Sequence, residues 1–152
     1  GVGFGALPVL GAYFVQTGAY TMPALIAAVP SGILVHNLLL LNEFPDAEAD
    51  ATVKRKTLPI TMGKKRAGIF YSVMTALVYI WIIGGVIAGK MPAFSLIALL
   101  TLPFAVKAIQ GALKPQEMSK LAPAQASNVI VVLLTQLLLG AGFILAKVFE
   151  IG

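Results

Sequence analysis

Asn42-Glu43-Phe44-Pro45-Asp46-Ala47-Glu48-Ala49-Asp50 is followed at once by the basic segment Lys54-Arg55-Lys56-Thr57-Leu58-Pro59. Four of the chain's six carboxylates lie between Glu43 and Asp50, and six of its eleven cations follow by Arg66. Asp46 and Asp50 are four residues apart, which on a helix stacks both carboxylates on one face. Asn42, four residues earlier, extends the same stripe if the helix runs through. Like charges at this spacing repel unless a cation lies between them. Magnesium takes hard oxygen ligands and is commonly held by one or two carboxylates together with substrate phosphates. A DxxxD pair at a helix end therefore suits a magnesium–diphosphate complex. Lys54, Arg55 and Lys56 supply cations for phosphate oxygens, and arginine can chelate two of them at once. Two readings stay open on these residues alone. The cluster is either such a site, or a solvated acidic face followed by a Lys/Arg run that sets membrane topology. Glu48 points away from the stripe, toward solvent.

The elements that must position this cluster are apolar helices. The chain has 152 residues, 59% hydrophobic and 11% charged, with a mean hydropathy of +0.92. Soluble domains carry roughly 25% charged residues, and runs of about 20 apolar residues read as membrane spans. Segments such as Leu38-Leu39-Leu40-Leu41 and Val129-Ile130-Val131-Val132-Leu133-Leu134 do not alternate, as a transmembrane barrel would require. The fold class is all-α, a polytopic helical membrane protein in one domain. The absence of cysteine excludes disulfides and thiolate catalysis. The net charge of +5 belongs beside lipid headgroups rather than nucleic acid, because the cations flank the spans.

Five apolar segments are expected, at 2–17, 22–41, 67–88, 93–109 and 128–148. Pro45 lacks an N–H and clashes with the preceding turn, but it is comfortable at a helix start. The second span is therefore expected to end over Leu41 to Phe44, with a short new helix from Pro45 to about Thr52 presenting the pair. Lys54, Arg55, Lys56, Lys64, Lys65, Arg66, Lys107, Lys114 and Lys120 fall on one side of such a bundle, against Lys90 and Lys147 on the other. Positive residues favour the cytoplasm, so the 42–66 loop is expected to face the cytoplasm across the inner membrane. Gly1 opens the chain without a methionine or a basic leader, as expected of a piece of a longer protein.

The segment from Asn42 through Asp50, the Lys-Arg-Lys-Thr-Leu-Pro run and Gly63 together resemble the second aspartate-rich motif of the UbiA superfamily of intramembrane prenyltransferases, its naphthoate (menaquinone-pathway) branch in particular. Five spans with this loop after the second are similar to the C-terminal part of that nine-helix fold. The resemblance implies Mg2+-dependent transfer of a polyprenyl group from its diphosphate to an aromatic acceptor. By position, Asp46 and Asp50 would be the metal-binding and catalytic residues. Asn42, Arg55 and Lys56 would bind the diphosphate. The family's first motif, NxxxDxxxD, is not in this sequence, so the missing N-terminal half or a partner subunit is expected to complete the site. Ala51 stands where many members carry a basic residue, and Lys54 where they often carry glycine.

Other residues have two readings each. His36 and Asn37 could line an acceptor pocket or join helices by hydrogen bonds. Lys107, Gln110 and Lys114 share a face and could hold diphosphate or snorkel to headgroups. Tyr13, Phe70, Tyr71 and Trp81 could shield an allylic cation or sit at the membrane interface. Gln136 is expected to be a packing residue. The alternative function is a non-catalytic binding or transport subunit using the loop as an ion or partner site. A CDP-alcohol phosphatidyltransferase would need Asp-Gly and Ala-Arg elements that are absent.

Overall fold

A computed structural model describes residues 1–149. Among them every element is helical. A π-helical turn, Val2–Ala6, leads into α1, Leu7–Thr17. Helix α2 is Met22–Thr52, α3 is the short Leu58–Met62, and α4 is Lys64–Ile87. A 3₁₀ stretch, Ala93–Thr101, continues as α5, Leu102–Ala112, and α6 is Met118–Val148. Four of the five expected apolar segments are long and apolar enough to cross a membrane, while the first, Val2–Thr17, is a shorter apolar helix.

Two boundaries differ from expectation. Helix α6 begins at Met118 rather than near 128, taking Pro123 into its first turns. The ring there opposes the carbonyl of Ser119, still within the first turn. Helix α2 does not end before Pro45: it runs unbroken to Thr52 and contains both Pro30 and Pro45. Each proline deprives the carbonyl four residues back of its partner, and each carbonyl finds a donor on another helix. Trp81 Nε1 of α4 donates to Ile26 O at 3.0 Å. Gln125 Nε2 of α6 donates to Leu41 O at 3.3 Å.

Helix α6 packs along the 3₁₀ stretch and α5, and α2 lies against both α4 and α6. Small residues allow these approaches, as membrane packing requires. A Cβ on Gly142 would come within 2.7 Å of Phe94 O, and one on Gly68 would collide with Ala112 O. The buried side chains form two layers. One contains Leu34, Val78, Ile82, Ala98 and Val131. The other, toward the polar end, joins Leu40, Leu41 and Phe44 of α2 to Tyr71, Ala108, Leu121 and Ala124. Leu58 and Met62 of α3 pack against this second layer. The polar loop is thus fastened to the bundle at both of its ends.

Polar groups tie the layers together. Asn37 Nδ2 donates to Tyr71 O at 3.1 Å and to Thr75 Oγ1 at 2.9 Å. The Tyr71 hydroxyl donates to Asn128 Oδ1 at 2.8 Å, and Asn128 Nδ2 reaches Asn37 O at 3.4 Å. Asn37 is therefore a helix-joining residue. Gln136 likewise packs between helices, accepting from Ser31 Oγ at 2.8 Å.

Candidate functional site

The acidic stripe lies on the last three turns of α2, beyond its apolar part. Asn42 and Asp46 are exposed and Asp50 is half-buried, with successive members four residues apart and so one above another. Phe44 and Ala47 on the opposite side are buried, which holds the stripe outward. Glu48 points away from it, 87% exposed, and bonds Lys64 Nζ of α4 at 2.9 Å. That ion pair pins the start of α4 to the end of α2.

Helix α2 ends in a Schellman motif. Arg55 N donates to Asp50 O at 3.1 Å, and Lys54 N donates to Ala51 O at 3.2 Å. Such a cap requires a left-handed residue, and Lys54 supplies it with φ of 58°. The turn folds Arg55 back over the helix, where its guanidinium Nη1 lies 3.0 Å from Asp50 Oδ1. Asp50 is thereby bound to Arg55 through both its backbone and its side chain. The guanidinium offsets the repulsion between Asp46 and Asp50, and it stays 66% exposed, free to swing onto an incoming anion. Lys56 is exposed on the same short connection.

The structure therefore brings Asn42, Asp46, Asp50, Arg55 and Lys56 to one end of one helix. Glycine would hold the cap more easily than lysine does, since a left-handed conformation costs an L-residue about 1–2 kcal/mol, partly offset by glycine's greater unfolded-state entropy. Lys54→Gly is expected to stabilise the protein by about 0.5–1 kcal/mol, measured by equilibrium unfolding in detergent. No gain would show that the cap is not strained.

The donor set fits magnesium in kind: two carboxylates and an amide oxygen on one stripe, with cations beside them for phosphate. Among the described residues, no group of three or more His, Cys, Asp or Glu side chains could hold a metal ion. The pair needs phosphate oxygens or further ligands to complete a coordination shell.

The remaining candidates sort differently. Lys107, Gln110 and Lys114 are exposed. Lys120 pairs with Glu117 at 2.6 Å, and this hydrogen bond holds the Glu117 carboxyl below its usual range. Tyr71 is taken up in the Asn37–Asn128 network and Trp81 in the bond to Ile26. Tyr13 accepts from Thr21 Oγ1 at 3.0 Å. Phe70 meets His36 edge-on at 5.8 Å. His36 Nε2 is buried without a partner, at the wall of an apolar cavity of about 420 Å³ with Gly32, Phe70 and Met74. Sequence reasoning missed Gln125, whose only advance signal was Pro45, a proline that leaves a carbonyl needing a donor.

A family model described as the UbiA prenyltransferase family matches residues 1–131. The chain is 35% identical over 111 residues to the 1,4-dihydroxy-2-naphthoate octaprenyltransferase of Bacillus subtilis (strain 168), covering 73% of this chain and 36% of that protein. It is 24% identical over 142 residues to the 1,4-dihydroxy-2-naphthoate octaprenyltransferase of Haemophilus influenzae (strain ATCC 51907 / DSM 11121 / KW20 / Rd), covering 93% of this chain and 46% of that protein. The chain thus spans less than half the length of these curated relatives. No solved structure matches it. With a family model covering most of its length, and an integral membrane architecture of apolar helices to go with it, the chain belongs to the UbiA prenyltransferase family.

Proposed function

We propose that the intact protein transfers a polyprenyl group from its diphosphate to an aromatic acceptor of the dihydroxynaphthoate kind, and that residues 42–56 form one half of its diphosphate site. The observation that carries this is the Asn42–Asp46–Asp50 stripe with Arg55 folded over it, in a chain whose relatives are named as naphthoate octaprenyltransferases. Asp46 and Asp50 hold Mg2+, Asn42 supports them, and Arg55 and Lys56 bind phosphate oxygens. Further oxygen ligands come from outside residues 1–152, from more chain or a partner subunit.

Bound Mg2+ supplies charge neutralisation on the departing diphosphate. Arg55 releases Asp50 and turns to the phosphate, placing its charge where negative charge develops as the allylic C1–O bond breaks. Both bonding electrons leave with the diphosphate. An electron-rich ring carbon of the acceptor then gives a π-electron pair to C1, and the group that carbon carried leaves as H+, or as CO2 if it is a carboxylate, returning its bonding pair to the ring. The apolar flank of α2 below Asn42 keeps water from the allylic cation. The polar end faces the cytoplasmic side of the inner membrane, a reading that the Lys/Arg asymmetry supports.

The test is an assay of the intact protein in lipid nanodiscs with a polyprenyl diphosphate and 1,4-dihydroxy-2-naphthoate. Prenylated product is expected with Mg2+ and none with EDTA. Diphosphate binding that ignores Mg2+, with no product from any aromatic acceptor, would favour a binding subunit.

A further inference from the structure

The acid pair is carried on a stretch of helix that starts immediately after a proline. Asp46 follows Pro45 directly, and Asp50 lies five residues beyond it, about 7.5 Å along the axis. A proline inside a helix leaves a hinge, and sharp bends concentrate there. A bend of about 20° at Pro45 would carry Asp50 sideways by roughly 2.5 Å. Misplacement of about 1 Å is enough to impair a site built for one geometry. Something must therefore fix the helix at this point.

The structure supplies one group in the right place. Leu41, whose carbonyl Pro45 leaves without an intrahelical partner, is fully buried, so bulk water is not at hand. Gln125 Nε2 reaches that carbonyl at 3.3 Å from α6. The helix carrying the amide is itself anchored here, because Leu121 and Ala124 belong to the layer containing Leu40, Leu41 and Phe44. Trp81 does the same for Ile26 beneath Pro30, but 20 residues before Asp46 along the chain, near the other end of α2.

We propose that Gln125 is a positioning residue for the Asp46–Asp50 pair, replacing from α6 the hydrogen bond that Pro45 removes from α2. The assignment rests on the proposed role of that pair, and it makes α6 part of the site although α6 contributes no ligand. Gln125 sets the path of the helix beyond Pro45; the aspartates do the binding.

Residues 1–152 contain no cysteine, so a pair introduced among them in the intact protein, with any cysteine elsewhere replaced by serine, can be spin-labelled. Labels at Val53 and Leu113, 68% and 47% exposed, report the distance from the end of α2 to the end of α5. In ligand-free nanodiscs, Gln125→Leu is expected to shift or broaden this distribution by about 2–3 Å. Gln125→Met, closer in shape, should do the same should the leucine variant fold poorly. Adding Pro45→Ala restores an N–H to residue 45, and Gln125→Leu/Pro45→Ala should return to the wild-type distribution. Trp81→Phe should leave it unchanged. A Gln125→Leu or Gln125→Met distribution equal to wild type would overturn the proposal, as would a double variant as displaced as the single one. Calorimetry with Mg2+ and inorganic diphosphate is the second arm. Affinity should fall about tenfold in Gln125→Leu, within the range for residues coupled to a site, and recover in the double variant. If Asp46→Ala leaves this binding unchanged, the reading of the acid pair fails. If binding needs Asp46 but is indifferent to Gln125, the role of Gln125 fails.

Discussion

Asp46→Ala in the intact protein is expected to lower Mg2+-dependent prenyl transfer by about 10²–10³-fold, the scale for removing one group that stabilises developing charge. Asp46 is exposed in the middle of the stripe, so its loss should cost little stability, and the circular dichroism spectrum should not change. Asp50→Ala should be as severe for activity and should also free Arg55, which Asp50 now holds at 3.0 Å. Glu48→Ala is the internal comparison. Glu48 lies two positions from Asp46, on the other side of the helix, and only its exposed pair with Lys64 is lost. Exposed pairs are worth about 0–1 kcal/mol, so this variant should keep activity within about threefold of wild type. Initial rates across an Mg2+ titration distinguish the two faces. Full activity in Asp46→Ala, or equal losses in Asp46→Ala and Glu48→Ala, would remove the basis for a metal site on this stripe.

That the stripe could be read before the structure was known follows from helix periodicity. Residues spaced by four share a face whatever the helix packs against, so Asn42, Asp46 and Asp50 were bound to align once the segment was helical. Where α2 stops was less accessible. Proline argues for a break at residue 45, and the donor that overrides it comes from Gln125, 80 residues further on. No local rule finds that partner. The same limit hid the start of α6, because hydropathy marks the part of a helix that meets lipid and not the polar turns beyond it. Ser119, Lys120 and Gln125 lie in those turns. Lys54 is the converse case. The position where family members often carry glycine has φ of 58°, so the departure from the motif is a strained cap that keeps its geometry.

Asn128→Leu is expected to destabilise the bundle by about 1–3 kcal/mol, the cost of an orphaned buried polar group. Hydrogen bonds between membrane helices average only about 0.6 kcal/mol, so the bond alone would not give that figure. What decides it is the group left behind. The Tyr71 side chain is fully buried, and Asn128 Oδ1 at 2.8 Å is the acceptor to which its hydroxyl donates. Removing that hydroxyl as well should therefore recover most of the loss. Tyr71→Phe/Asn128→Leu is expected to lie within about 1 kcal/mol of wild type, more stable than Asn128→Leu alone. Asn37 keeps its own bonds to Tyr71 O and Thr75 Oγ1 in both variants, and both lose the bond from Asn128 Nδ2 to Asn37 O, so the difference between them isolates the Tyr71 hydroxyl. Equilibrium unfolding in mixed micelles measures the cycle. A double variant no better than Asn128→Leu would mean that leucine at 128 acts by misfitting the layer around Val131 and Leu34, and that Tyr71 tolerates losing its acceptor.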